Sequence, residues 1–103
     1  MISKEDLKIK VSKLIDERKD IPIDLSKDVL SNPETGYKEF KTSEKVKNVF
    51  NSFDLRVKDG IAITGLITKI QGANPGPNIA IIGELDGLPV PGHPFEDKET
   101  HAA

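Results

Sequence analysis

Apolar positions recur at helical spacing through the first part of the chain. Leu7, Val11, Leu14 and Ile15 follow one another at intervals of four, three and one, which puts them on one stripe of a helix. Ile21, Leu25 and Val29 continue it at intervals of four. Ser3 followed by Asp6 is a variant of the capping box and marks the helix start. Pro22 lies inside the pattern, lacks an amide hydrogen and clashes with the preceding turn, so a kink or break is expected there. The helix should stop near Leu30, because Pro33 pushes Asn32 out of helical geometry. "NPETGYKEF" then forms a turn. A second helix, from about Tyr37 to Ser52, has Phe40, Val46, Val49, Phe50 and Phe53 along its apolar face. These aromatic residues and Tyr37 are expected in the core.

After Asp54 the period changes. "DLRVKDG" alternates apolar and polar residues, as a short strand ending in an Asp-Gly turn does. "IAITGLITKI" is rich in β-branched residues and reads as a strand. "QGANPGPN" is a loop with two glycines and two prolines. "NIAIIGEL" is apolar on both faces, as expected of a strand covered on both sides. The last two strands fit either a hairpin or the central strands of a mixed sheet. From Gly87 onward regular patterning is lost. The expected class is α/β: two N-terminal helices followed by strands of a mixed sheet.

Composition narrows the function. The 103 residues hold 15 basic and 17 acidic side chains, a net charge of −2. Lysines alternate with acids, so nothing resembles the one-sided basic surface of a nucleic-acid binder. There is no cysteine, hence no disulfide framework and no thiolate. The N-terminus is too charged for a signal peptide's apolar core, and no apolar run approaches the roughly 20 residues of a membrane span. A cytoplasmic protein with no membrane or nucleic-acid partner is expected. "GANPGPN" is not a phosphate loop: it lacks the Lys-Ser/Thr ending and no helix follows.

Two segments carry a resemblance. "LSNPETGYKEFKTSEKV" is similar to the early region of the metal-dependent amidohydrolases, where a helix ends in Asn-Pro-Glu-x-Gly before a second helix. "PNIAIIGELDGLPVPGHPFEDKETHAA" resembles that family's strand and turn leading into its first metal motif. The family includes aminoacylases, hippurate hydrolases, aminobenzoyl-glutamate hydrolases and related carboxypeptidases. The resemblance runs from about Leu25 to Ala103. It implies that residues 1–103 are the N-terminal part of a zinc-peptidase-like catalytic domain, with the lid domain and most metal ligands outside them.

The resemblance also implies roles. Asp86 matches the family's acid just before the small-apolar-Pro turn, and would orient metal-ligand side chains. That agrees with its place beyond the end of an expected strand, although a turn aspartate also caps local backbone groups. Glu84 stands where other branches carry a metal-binding histidine, and is expected near the site rather than on the metal. His93 and His101 are the only histidines; two residues cannot fill the four positions usual for zinc, and neither is expected to bind metal. No metal ligand is therefore assigned within the chain. The intact enzyme would hold two divalent ions, zinc or else manganese, cobalt or nickel. It would hydrolyse the amide bond of N-acyl or N-aroyl amino acids or small peptides, as a homodimer, while the 103 residues alone would be inactive. The alternative from the residues themselves is a small α/β binding or interaction module without enzymatic activity.

Overall fold

A computed structural model describes residues 1–103. It holds three helices followed by one hairpin: α1 (Lys4–Arg18), α2 (Asp20–Ser31), α3 (Phe40–Ser52), β1 (Val57–Ile61) and β2 (Gly65–Thr68). The α/β class and the helices-then-strands order are as expected. The sheet has two strands and is antiparallel.

Ser3 caps α1 as its spacing suggested: its Oγ accepts from the Asp6 amide at 3.1 Å and donates to the Asp6 carboxylate at 2.6 Å. The break before α2 falls at Lys19, ahead of Pro22. Pro22 cannot donate to the Arg18 carbonyl four residues earlier, and its ring crowds that carbonyl, so the interruption appears one turn before the proline. Pro22 itself sits in the first turn of α2, where a missing amide hydrogen costs little. Asn32 ends α2 by donating its backbone amide to the Asp28 and Val29 carbonyls.

The second helix begins at Phe40, three residues later than Tyr37. Tyr37 has φ 62°, left-handed geometry that a helix cannot contain. The hairpin turn also shifts. Asp59-Gly60 is not the turn: Gly60 lies within β1 at φ 68°, where the register slips between Lys58 and Ile61. The chain reverses at Ala62–Thr64 instead, with Ala62 at φ 46° and Ile63 at φ 80°. Gly60 takes up the positive φ as a bulge in the strand, as glycine can without strain.

The third expected strand does not form. Residues 69–88 carry no regular structure, and the hairpin across "QGANPGPN" is absent. Ile79, Ile81 and Ile82 are almost fully exposed, Ile81 at 98%. A segment apolar on both faces gains from pairing only when elements cover both of those faces, and none here does. Of the aromatic residues expected in the core, Tyr37, Phe40 and Phe53 are exposed and Phe50 is only half-buried.

Only Glu39, Thr42, Thr64 and Ala102 are buried. A folded monomer of 11.3 kDa is expected to expose about 5,700 Å²; this one exposes 8770 Å². Its radius of gyration is 16.5 Å, against about 13 Å for a compact domain of this length. The ordered centre is thus small and polar, and most apolar side chains lie outside it. No helix is long and apolar enough to cross a membrane.

Candidate functional site

The polar centre is built around the turn before α3. Its first amides are not capped by the residue at the helix start, Glu39, whose side chain makes no capping bond. They are capped from upstream by Glu34. One Glu34 carboxylate oxygen accepts from both the Thr42 amide and the Thr42 hydroxyl (2.8 Å for the latter), and the other accepts from the Lys41 amide at 3.3 Å. This places a carboxylate at the positive end of the helix, satisfying amides with no partner inside it. Burial pushes the Glu34 carboxyl up, but these hydrogen bonds outweigh it and hold it below its ordinary value.

Glu39 is freed for a different task. Its carboxylate accepts from the Thr64 hydroxyl at 2.6 Å and from the Tyr37 amide at 3.0 Å. The Thr64 bond is the main cause of its lowered pKa. Ser43 donates to the Thr64 carbonyl at 2.8 Å. The hairpin turn is thereby held to the start of α3 through polar side chains on both sides. Lys47 and Asp59, paired at 2.6 Å, add a more exposed tie from α3 to β1.

The two segments singled out in the sequence meet at this centre. The Gly87 amide donates to the Glu34 carbonyl at 2.8 Å. A Cβ on Gly87 would stand 2.6 Å from the Pro33 Cβ, so nothing larger than glycine fits there. "NPETG" and "ELDGLP" are therefore clamped face to face. Beside the clamp lies a shallow cleft of about 360 Å³, bordered by Tyr37, Glu39, Thr64, Leu85 and Asp86 among others. Asp86 stands exposed at this cleft, and its carboxylate makes no hydrogen bond or ion pair within the chain.

The segment after Pro89 folds back over the same region. Val90 donates to the His101 carbonyl at 2.7 Å, Asp97 to the Ala102 carbonyl at 2.9 Å, and the Thr100 hydroxyl to the Leu30 carbonyl at the end of α2 at 3.2 Å. The Asp97 side chain accepts from the Glu99 and Thr100 amides, which lowers its pKa. The histidines serve this loop. His101 Nδ1 pairs with Glu96 at 3.0 Å, the main cause of the lowered Glu96 pKa, and His93 Nδ1 accepts from the Phe95 amide at 3.1 Å.

The expected site residues are thus only partly assembled. Asp86 lies at the cleft; Glu84 is exposed and does not border it. No group of three or more His, Asp or Glu side chains converges in a way that could hold a metal ion. These residues do not fit a metal centre by themselves. Sequence reasoning missed Glu34 and Glu39, which organise the site, because a carboxylate that caps a helix from upstream leaves no periodic signature. The Thr-Ser pair following an acid-rich turn was the available hint.

The chain is 33% identical over 86 residues to thermostable carboxypeptidase 2 of Saccharolobus solfataricus, covering 82% of this chain and 22% of that protein. It is 37% identical over 81 residues to N-acetyldiaminopimelate deacetylase of Bacillus pumilus, covering 72% of this chain and 21% of the relative. With N-acetylcysteine deacetylase of Bacillus subtilis it shares 30% over 69 residues, 66% of this chain and 18% of the relative. By sequence, the chain is similar to these carboxypeptidases and deacetylases, which is consistent with an amidohydrolase family. It spans about a fifth of the length of the relatives it matches. No family model and no solved structure matches it.

Proposed function

We propose that this chain is the N-terminal portion of an amidohydrolase or peptidase that cleaves the amide bond of an N-acyl or N-aroyl amino acid or a small peptide. The names of its relatives support the hydrolase class. The observation that carries the reading is the clamp: the Gly87–Glu34 bond and the Pro33 contact fix the turn next to Asp86, an acid otherwise free of partners. An aspartate so placed can accept a hydrogen bond from an imidazole or an amide and hold it in one orientation. Asp86 is the positioning acid in this reading, and Glu84 a neighbouring polar residue.

The family resemblance implies two divalent ions, zinc first, which would supply a polarised water for attack on the amide carbonyl. The donors would come from outside these residues, and we derive no step through the metals from this chain. What the chain contributes is the fixed turn, the orienting carboxylate and one wall of a cleft.

The test is hydrolysis of N-acetyl amino acids and of aminobenzoyl-glutamate. The 103 residues alone, with zinc or manganese supplied, are expected to show no turnover. The intact enzyme containing them is expected to turn over and to lose about 10- to 100-fold in kcat/KM on Asp86→Ala, the range for orienting residues beside a metal. Turnover by the 103 residues alone, or full activity in the Asp86→Ala enzyme, would overturn the proposal.

A further inference from the structure

The loop from Pro89 to Ala102 closes on itself, and Asp97 organises its return. The Asp97 Oδ1 accepts from the Glu99 and Thr100 amides, both at 2.9 Å. Its carbonyl accepts from the His101 amide at 2.8 Å, and its own amide donates to the Ala102 carbonyl at 2.9 Å. Asp97 is thus bonded to each residue from Glu99 to Ala102. His101 sits in this turn at φ 58°. A residue other than glycine keeps such left-handed geometry only where its surroundings over-determine it.

The turn has a direction. It seats Ala102, the one buried apolar residue of the chain, opposite Pro89 in an antiparallel bridge, with the Val90 amide donating to the His101 carbonyl beside it. The Thr100 hydroxyl, which also accepts from the Ala102 amide at 3.3 Å, anchors the turn to the Leu30 carbonyl of α2. Antiparallel partners run past each other, so the chain leaving Ala102 heads along Leu88 and Gly87 toward Asp86. Gly87 is itself locked to Glu34, so the approach is fixed from both sides. We propose that Asp97 is a positioning residue: by fixing the turn over residues 97–102, it aims the segment after Ala103 at the Asp86 carboxylate. Asp97 does not border the cleft and acts only through the backbone it holds. This rests on the reading of the chain as the N-terminal portion of an amidohydrolase.

Two readouts test it. In the 103-residue chain, the nuclear Overhauser contact between the Pro89 and Ala102 α-protons reports the bridge. In the intact enzyme, kcat and KM for N-acetyl amino acids report the aim. Asp97→Ala should abolish the contact and lower kcat roughly 10- to 100-fold while KM changes little, as misplacement of a reacting group does. The Thr42 amide should stay protected in that variant. Asp97→Asn keeps an Oδ1 acceptor and should restore both the contact and kcat. His101→Gly removes the pair with Glu96 and the left-handed side chain, and should leave both as in wild type. An intact bridge or wild-type kcat in Asp97→Ala would overturn the proposal, as would Asp97→Asn being as damaged as Asp97→Ala. Loss of the contact in His101→Gly would also overturn it, because the turn would then belong to the His101–Glu96 pair. An intact wild-type protein that hydrolyses no amide would overturn the hydrolase reading instead; the bridge contact, read without substrate, tells the two failures apart.

Discussion

The clamp between Gly87 and Glu34 and the segment Ile79–Ile82, which ends a few residues before Gly87, are opposites. The clamp is polar and tightly bonded: Thr42 is 2% exposed, and its amide and hydroxyl both donate to one Glu34 carboxylate oxygen. The isoleucines are apolar, exposed and unpaired. In an ordinary domain the burial would be reversed. Buried polar groups hold their places because each donor and acceptor is matched, which is a directional requirement that a local set of residues can meet by itself. Apolar burial needs surface from several elements at once, and the three helices and one hairpin of this chain do not provide it.

Substitutions can break this contrast in graded steps. Gly87→Ala should have the largest effect, because its Cβ would meet Pro33 at 2.6 Å and the Gly87–Glu34 bond would be lost. Overpacking of this kind costs about 1–3 kcal/mol. The readout is loss of amide-exchange protection at Gly87, while Ile79–Ile82 stay as they were. Glu34→Ala comes next: it removes the cap from α3 and should cost about 1 kcal/mol of local stability. Faster exchange at the Lys41 and Thr42 amides would show it, whereas unchanged rates would mean that the cap is dispensable.

Acid should loosen the clamp and spare the apolar face. Glu34, Glu39, Glu96 and Asp97 all have pKa values held below their ordinary ones in the fold. The unfolded chain therefore binds more protons as pH falls, so their stabilisation is present above about pH 4.5 and is lost as pH drops through the folded values. Amide exchange at Thr42 and Tyr37, followed from neutral pH downward after correction for intrinsic rates, checks this. The smallest effect belongs to Lys47→Ala, since an exposed ion pair contributes little. It should leave the Thr64 contacts with α3 intact in nuclear Overhauser spectra.

Part of this was legible from residue order alone. Ser3–Asp6 and the Asn32 stop are local signals, and each appears where its spacing put it; the two apolar stripes do lie on helices, but the first is broken at Lys19 and neither is buried. The family resemblance was legible too, because "NPETG" and "ELDGLP" are short and continuous. What was not legible depends on partners distant in sequence. The strand expected at "NIAIIGEL" needed neighbours on both faces. The helix start depended on the backbone of Tyr37, and the hairpin turn moved because Gly60 served as a bulge. The clamp itself joins residues about fifty positions apart through a backbone carbonyl and a missing Cβ, neither of which has a residue-type signature beyond the glycine.

The central claim is that Gly87 and Glu34 lock the turn at Asp86 while the adjacent isoleucines remain unengaged. Residue-resolved hydrogen exchange on the 103-residue chain reads both at once. The Gly87 and Thr42 amides are predicted to be protected, and those of Ile79, Ile81 and Ile82 to exchange at open-coil rates. A Gly87 amide exchanging as fast as those isoleucines would contradict the account.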